Sequence, residues 1–559
     1  MSKRTAEELV ERFSYLKSRR DNFESSWQDI SDLMMPYRGD ISTTKSPGGR
    51  RVIGVFDSTA MQAADTFVNF LKGAIIPSGT DWVRLRAKPP FDNDVTIRQV
   101  LDRVANKILG ALSDSNFYTE SASFLRDFAV LGNGTLHVRE DTPKLGVQGS
   151  TFGGLIFESI PIAHMWWQIG HKGKPFFMVR RIQMTAIDAY RFFDGEAGED
   201  VEINLKINQP MEQVTYLHFV YENENAVPKA GIKSSEEKPW ISVYLSGIED
   251  SKSGSPEIIR EGGFDFCPYI IARWMVVDGE EYGRGRGHLA RPDAMGINEL
   301  RRQILIAAGK DLNPPLMVEH DTMVELDITP NGLMVTRPPV KMGPQYLKSE
   351  TNYQVADAMA REDREQILKA FLGDLLTEPE AQPRSAEESR QRQSRALQRL
   401  SATADIVNYE FLDPLMNSIL EVMQRSGYLP EFDMLAEQLP DTDIEISYQS
   451  PFFTAQKASG SLRVQAFLER RLALYQATQN PVFMDDISPD QVARYDAMVS
   501  DVPALILRTD EEVEAVRRAR AEQMMQQQMM EQMQAQQAQQ AQQQGAPPAQ
   551  MPPAEAQGI

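Results

Sequence analysis

The chain has 559 residues, a formal charge of −20 from 79 acidic and 59 basic side chains, and one cysteine, Cys267. The length suits about two to four domains, and the acidic balance argues against a broad surface that clamps nucleic acid tightly. A single cysteine excludes an intramolecular disulfide and a cysteine-based zinc site, and no apolar run approaches the roughly 20 residues of a membrane-spanning helix.

The charged start, Met1 to Glu8, lacks an apolar secretory segment, so the expectation is a chain that is cytosolic at synthesis. Thr5 and Glu8 have capping-box spacing, and Leu9, Phe13, Leu16, Phe23, Trp27, Ile30 and Met34 trace one amphipathic helix ending at Met35–Pro36. Residues 38–51 read as a basic, Gly/Ser/Thr-rich loop. A second helix is expected from Ser58 or Thr59 to Ile76, stopped by Pro77 and Gly79, and Asp81–Arg86 alternates like a strand. Residues 94–131 are helical in pattern and break at Gly132. From Gly134 to Ile270 the period changes to two. Strand candidates are Thr135–Arg139, Leu155–Phe157, Phe176–Arg181, Val214–Val220 and Trp240–Tyr244, with a short helix near Thr185–Phe193. Helices first and sheet after make this an α+β region.

Glu281–Gly287 leads into a helix predicted over Pro292–Leu312, because Pro is tolerated in a first turn and Asp293 suits the N-terminal dipole. Ile297, Leu300, Ile304, Ala308 and Leu312 form its apolar stripe, and Asn313–Pro314–Pro315 stops it. A Pro-rich insert, Asn313–Ser349, holds short strand candidates at Leu316–Val318, Met323–Leu326 and Gly332–Thr336, too small for a core of their own. A second long helix, about Thr351–Leu376, has apolar ends but a middle, Arg361–Gln366, that is polar on every face. Such a helix bridges solvent, is laced with ion pairs, or is unstable. A ring of copies around a wet channel explains the pattern, and so does a solvated antiparallel pair in a monomer.

After the loop 377–383 a long helical pattern runs from Ser385 to Ser426 with a kink expected at Pro414, and its start is dense in arginine: Arg384, Arg390, Arg392, Arg395 and Arg399. Ile444–Tyr448 reads as a strand, followed by helices over Gln456–Gln476 and Ser488–Met498. Glu511–Gln544 is helical by propensity and dominated by Gln, Met and Ala; it reads as a tail or as one stave of a helical barrel. The Pro/Ala/Gln-rich 545–559 has a disordered composition.

Chemistry is hard to find. Gly283–Arg–Gly–Arg–Gly287 fits neither phosphate-loop pattern and reads as a structural hinge. The six histidines are dispersed without metal-ligand spacing. Asp441, Asp443 and Glu445 alternate as solvated strand faces also do, and Asp485–Asp486 suits a helix start. No nucleophile elbow is present, and Cys267 has no nearby His in sequence. No enzyme, metal or cofactor is expected. The arginine cluster can meet backbone phosphates without reading bases, or it can pair between subunits, since Glu387 and Glu388 lie beside it.

Several stretches, taken in order, resemble the portal, or head-to-tail connector, proteins of short-tailed bacteriophages: Phe56–Ala60, Ala64–Gly73, Pro77–Leu85, Pro268–Trp274, Tyr282–Arg284, Asn313–Pro315 and Tyr448–Pro451. The resemblance implies an α+β, mainly helical portal fold with a wing, a helical stem, a small β clip and a C-terminal helical crown or barrel, assembled as a ring usually of twelve subunits at a unique capsid vertex. Mapped here, 1–291 is wing, 292–312 and 350–376 are the stem, and 313–349 is the clip. Residues 377–399 are the tunnel loop with the start of the long helix, 400–500 the return through the wing and the crown, 501–545 the barrel helix and 546–559 a tail. It further implies a non-enzymatic virion component whose partners are copies of itself, capsid protein, scaffolding protein, terminase, tail adaptor and nozzle proteins, and double-stranded DNA without sequence specificity. Arg384, Arg390, Arg392, Arg395 and Arg399 are then channel candidates. Arg301, Arg302, Lys310, Arg361 and Arg364 belong to the stem, and Leu316, Val318, Leu326, Met334 and Val335 to clip docking. An acidic lumen would let DNA slide with little adhesion. Two rivals are an adaptor or scaffold ring that never contacts DNA, and a nucleic-acid-processing enzyme.

Overall fold

The computed structural model describes residues 4–43, 48–88, 95–312 (except 143, 147–148, 172, 225, 227–236 and 249–254), 353–376, 395–432 (except 398), 444–453 and 510–543. It also describes short pieces at 316–317, 323–325, 335–336, 345–346, 467–474, 476–477, 488 and 491–493.

Helix α1 (Ala6–Met34) opens on the expected capping box: Glu8 N donates to Thr5 Oγ1 at 3.3 Å and Thr5 N to Glu8 Oε2 at 3.0 Å. Helices α2 (Thr59–Ile75), α3 (Val95–Asp114) and α4 (Phe117–Arg126) follow, with strand β1 (Val83–Ala87) between the first two. The helical stretch expected over 94–131 is therefore two helices, and it ends in a wide π turn, Asp127–Leu131, closed by Gly132 at φ +88°. Next come β2 (Asn133–Glu140), a hairpin of β3 (Lys144–Gly146) and β4 (Gly149–Thr151), and β5 (Leu155–Ser159). An antiparallel meander then runs β6 (Met165–Ile169), β7 (Pro175–Thr185), β8 (Gln213–Glu222), β9 (Trp240–Ser246) and β10 (Glu257–Phe264). Helices α5 (Ala186–Phe192) and α6 (Glu199–Lys206) lie between β7 and β8 in sequence. Strand β11 (Tyr269–Arg273) returns beside β2, which gives a three-stranded sheet of order β11-β2-β5. The whole meander is thus an insertion between two strands of the central sheet.

Strand alternation gives the meander two dry faces. Phe177, Val179, Phe219 and Val243 point to Leu9, Phe13 and Leu16 of α1, while Val214 and Tyr216 point to Ala186, Ala189 and Val201 on α5 and α6. The C-terminal half of α1 (Trp27, Ile30, Met34) enters the main core, so one helix serves two cores. Between them Arg20, 2 % exposed, donates to the carbonyls of Ile162 (2.8 Å) and Met165 (3.0 Å) and pairs with Glu24 at 2.7 Å. A buried guanidinium is tolerated because its donors are satisfied.

The meander also meets the central sheet through buried polar groups. Arg180 (β7) donates to Glu158 (β5) and lies 3.4 Å from His137 Nδ1 (β2). His218 (β8) holds Tyr269 Oη (β11) at 2.5 Å and Ser242 Oγ (β9) at 2.8 Å, flat against the Tyr244 ring.

Helix α7 (Arg286–Leu312) starts six residues before Pro292, where the sequence placed its first turn. The cause is tertiary. Gly283, Gly285 and Gly287 cross the wide turn 127–131 backbone to backbone. A Cβ on Gly285 would lie 2.5 Å from Gly132 N and Val130 O, and one on Gly287 2.5 Å from Val130 O. Pro292 then falls in the second turn and costs one helical hydrogen bond. Helix α8 (Tyr353–Ala370) runs antiparallel to α7 and stops before the expected Leu376, because Leu372 adopts φ +56° and turns the chain into α9 (Gly373–Leu376). A left-handed leucine costs about 1–2 kcal/mol, offset here by burial of its side chain to 3 % exposure, worth about 2 kcal/mol. The long helix expected over Ser385–Ser426 is described only from Arg395 and is interrupted by a turn at Leu400; beyond it, where a kink was expected at Pro414, the chain runs on through a second wide turn: Ser401–Ile406 is α-helical, Val407–Leu412 is π, and Asp413–Arg425 is α-helical. Strand Ile444–Tyr448 pairs antiparallel with β1, Val83 opposite Tyr448 and Ala87 opposite Ile444. Glu445 is opposite Arg86 in that ribbon, whereas Asp441, Asp443, Asp485 and Asp486 lie outside the described residues. A last helix spans Asp510–Gln543, and the helices expected over 456–476 and 488–498 fall mostly outside the described residues.

Two expectations follow. Gly285→Ala should cost about 3 kcal/mol or more, because the new methyl meets backbone that cannot yield. Gly309→Ala, in the same helix with open space around it, should gain about 1 kcal/mol from helix propensity. Denaturant unfolding of the two variants measures the contrast, and equal effects would refute the crossing as the tight point.

The second concerns pH. Burial, then the charges of His137 and Arg180, holds the pKa of His218 well below the ordinary value. Burial followed by neighbouring arginines pushes His164 and His288 down to about 4. The unfolded chain protonates each near pH ~6.5 while the folded chain stays neutral. Below that pH the unfolded state therefore binds more protons, and stability falls as pH falls by up to ~1.4 kcal/mol per unit for each such histidine. Thermal unfolding from about pH 7.5 to 4.5 should show a steep loss of midpoint beginning near pH ~6.5; a flat profile would contradict it.

Candidate channel segment and assembly surfaces

The helix pair α7/α8 projects from the body and is tied to it at several points. Arg291 of α7 pairs with Asp29 of α1 at 2.6 Å, and Arg364 of α8 with Asp57 at 2.8 Å. Asn298 of α7 clamps the same loop, accepting from Phe56 N at 2.6 Å and donating to Gly54 O at 2.8 Å. Burial alone would raise the pKa of Asp57, but hydrogen bonds from Thr59 and Arg364 outweigh it and hold the group below the usual carboxylate range. At the far end Tyr353 Oη donates to Asp311, joining the two helices on either side of the insert.

Along the pair, Gly296 of α7 faces Asp363 of α8. Burial, then the nearby Asp293 and Glu362, raises the pKa of Asp363. The polar middle of α8 is laced with ion pairs: Arg361 with Asp357 at 2.6 Å, Lys369 with Glu365 at 3.8 Å, and Arg364 as above. Of the arginines and lysine assigned to the stem, Arg301 and Lys310 are exposed and Arg302 pairs with Glu299 at 2.6 Å. Arg361 lies on the surface, whereas Arg364 turns inward as an anchor. The apolar stripe is only partly used. Ile297 is buried and Leu300 and Ile304 half-buried, but Leu305, Ile306 and Leu312 on α7 and Tyr353, Val355 and Met359 on α8 remain exposed.

The insert between the helices forms two short antiparallel pairs, Leu316–Met317 with Gln345–Tyr346 and, nested within it, Met323–Glu325 with Val335–Thr336. Leu316 and Val335 sit in these strands, while Val318, Leu326 and Met334 lie outside the described residues.

Arg384, Arg390 and Arg392 also lie outside the described residues. Arg395 and Arg399 are exposed, four residues apart on one helical face, while Ala396 and Leu400 turn into the core. The structure brings in a further cation that the sequence reading treated only as part of a hinge. Arg286 donates to Ala370 O at 3.0 Å and lies over the Phe67 and Trp274 rings at 5.7 and 5.9 Å. Burial and then the charge of Arg399 lower its pKa. Only tertiary folding joins the start of α7 to the end of α8 here, so no local signal announced it.

His218 and Ser242 have the spacing of a nucleophile and its base, but they are 1 % and 4 % exposed on adjacent strands of one sheet, and the other ring nitrogen of His218 is taken by Tyr269 of the central sheet. Among the described residues no cluster of His, Cys, Asp or Glu could hold a metal, and no helix is long and apolar enough to cross a membrane. The glycine-arginine run is a backbone crossing, as the hinge reading expected, with Arg284 paired to Glu280 at 2.6 Å.

Residues 6–507 match the family model for the bacteriophage head to tail connecting protein. The chain is 25% identical over 546 residues to the portal protein of Salmonella phage epsilon15, covering 94% of this chain and 92% of that one. It is 22% identical over 530 residues to the probable portal protein of Bordetella phage BPP-1, with 92% and 91% covered. A protein that connects head to tail is a structural part rather than an enzyme. With a model spanning nearly its whole length, the chain belongs to the bacteriophage head-to-tail connecting protein family.

Proposed function

We propose that the chain is a portal subunit. Twelve copies close a ring at the unique vertex of the capsid, and double-stranded DNA passes through the lumen during packaging and ejection without being read for sequence. The observation that carries this reading is the α7/α8 pair, which is anchored firmly at its base and yet leaves Leu312 81 % and Val355 and Met359 each 54 % exposed. Large side chains along projecting helices fit burial against neighbouring copies. The strand pairs described within 316–346 are two or three residues long, too short to support a core, which suits a clip completed by adjacent subunits and docked by the terminase motor and then by tail adaptor and nozzle proteins. Capsid and scaffolding proteins are the remaining partners, met at the wing.

In this scheme the wing comprises the body up to α7 together with the return from residue 400. The stem is α7 and α8, with its first helix counted from Arg286, and 377–399 is the tunnel segment. The Asp510–Gln543 helix, with exposed Met524, Met525, Met529, Met530 and Met533, is a stave of the barrel, since methionines spread around a helix suit contacts with more than one neighbour. The net charge of −20 suits a lumen that does not grip DNA, leaving Arg390, Arg392, Arg395 and Arg399 to make weak, sequence-independent phosphate contacts.

Native mass spectrometry with electron-microscope class averages should show a closed ring near twelve subunits with a duplex-sized hole. A stable monomer, both alone and with scaffolding and capsid protein, would overturn the reading. Arg390, Arg392 or Arg395 changed to Glu should lower the yield of DNA-filled heads severalfold while rings still form. Loss of rings would instead assign these arginines to pairing between subunits.

A further inference from the structure

Strand β11 is an edge of the central sheet, whose order is β11-β2-β5. Val138 N donates to Pro268 O at 3.0 Å and Trp274 N to Gly132 O at 2.9 Å, so the even-numbered residues here bond to β2 through their main chain. The main chain of Tyr269, Ile271 and Arg273 therefore points the other way, off the edge of the sheet. Two of those groups are capped: the Glu410 carboxylate accepts from Arg273 N at 2.7 Å, and Cys267 Sγ donates to Tyr269 O at 3.1 Å. Ile271 is different. It is 5 % exposed, and neither its N–H nor its C=O has a hydrogen-bond partner among the described residues. Buried main-chain groups are nearly always paired.

This edge opens on a cavity of about 720 Å³. The strand Ile444–Tyr448, paired only with β1 among the described residues, borders the same space. Asn408 is also on the wall, and its Oδ1 is buried with no partner among the described residues. The two sides of the cavity differ in chemistry. The meander covers the face of the central sheet that carries His137 and Tyr269, and on that side the wall is Pro175, Trp240 and Cys267. The helix Asp413–Arg425 covers the opposite face, where Arg425 reaches Glu140 at 3.4 Å. It turns Asp413, Asn417 and Glu421, spaced four residues apart on one helical face, to the cavity. Asp413 accepts from Tyr448 Oη at 2.8 Å, but neither carboxylate has a cation partner among the described residues. The cations on the wall are engaged: Arg273 with Glu410 at 2.6 Å and Lys174 over the Tyr409 ring at 4.9 Å, and Lys88 is not free either.

We propose that this cavity takes an extended segment of a partner protein, added as a strand to the open edge of β11. Pairing with Ile271 satisfies the two orphaned main-chain groups. Strand alternation then sets the pattern of the segment. Its basic residues turn to Asp413, Asn417 and Glu421, and the apolar residues between them turn to Pro175, Trp240 and Cys267. Every strand among the described residues already has a partner. A chain with a net charge of −20 is also a poor source of a basic strand, so the segment comes from a second protein. The proposal rests neither on a ring nor on contact with DNA.

The test uses the full-length protein and a fluorescein-labelled Lys-Val-Lys-Val-Lys-Val-amide peptide, followed by fluorescence anisotropy. Binding should saturate, and amide exchange at Ile271 should slow when the peptide is present. The same peptide N-methylated throughout keeps its charges but cannot pair as a strand, and should bind about ten-fold more weakly. Asn417→Lys combined with Glu421→Lys, both at exposed positions, should weaken binding of the unmethylated peptide about ten-fold. Absence of saturable binding would leave the orphaned groups to water and overturn the proposal. Equal binding of the methylated peptide, or parent-like binding by the double variant, would reduce the effect to charge adhesion and overturn it as well. Slow exchange at Ile271 that the peptide does not change would put this chain or a second copy on the edge, and would likewise overturn a partner protein.

Discussion

The rest of the molecule depends on a crossing of two stretches of bare backbone. Gly132 ends the first wide turn and Gly283, Gly285 and Gly287 pass over it, so close that side chains are excluded on both strands of the crossing. Asn133 fastens it, accepting from Gly283 N at 2.7 Å and donating to Gly283 O at 2.9 Å. Trp274 N donates to Gly132 O at 2.9 Å, and Arg284 N to Met275 O at 2.8 Å. These contacts fix where β2 begins, where β11 ends and where α7 leaves the body. The point at which the helix pair leaves the body is therefore set by main-chain geometry, which is stiff, and side-chain ties from Arg291, Asn298 and Arg364 hold the pair further along.

Around this point buried charges work as locators. Arg38 grips Asp127, on the first wide turn, through two contacts of 2.7 and 2.8 Å, and also reaches Ser159 Oγ at 2.5 Å. Burial pushes the Asp127 carboxyl up, with Arg38 opposing it. Arg273 grips Glu410 on the second wide turn. Phe124, on α4 just before the first turn, stacks on Phe411 of the second. Buried ion pairs add little net stability compared with apolar substitutes, but breaking one strands a charge, so they discriminate strongly against wrong arrangements. Placed on the two wide turns of the core, they select one seating of the helices among several of similar hydrophobic content.

Much of this was legible in the sequence because the signals were local. The capping box at Thr5 and Glu8, the period-two strands from Thr135 onward and the helical stripes through Trp27 and Phe67 each need only near neighbours. The reading of Gly283–Gly287 as structural was also sound, since the spacing lacked any phosphate-binding pattern. What escaped was tertiary. Pro292 looked like a first turn because nothing nearby revealed that α7 is already seated at Arg286. Pro414 looked like a kink because a widened turn and a bend share the same local cause. Leu372 carries no hint of a left-handed backbone, which only its surroundings impose. Among the candidate functional residues, the arginine-rich start of the long helix was visible in the sequence, whereas Arg364 turning inward to Asp57, and Arg286 lying beside Arg399, depend on parts of the chain far apart in sequence.

The ribbon of Val83–Ala87 with Ile444–Tyr448 has a consequence for how the chain is made. One strand emerges from the ribosome early, and its only strand partner among the described residues comes several hundred residues later. At about 5–20 residues per second, that edge waits for tens of seconds. During the wait the long helices and the insert already exist on a body that is not closed. Completion of the ribbon thus marks the end of synthesis of the core, and a subunit whose translation stops short leaves an open edge, the kind of surface that quality control recognises and a growing assembly should reject.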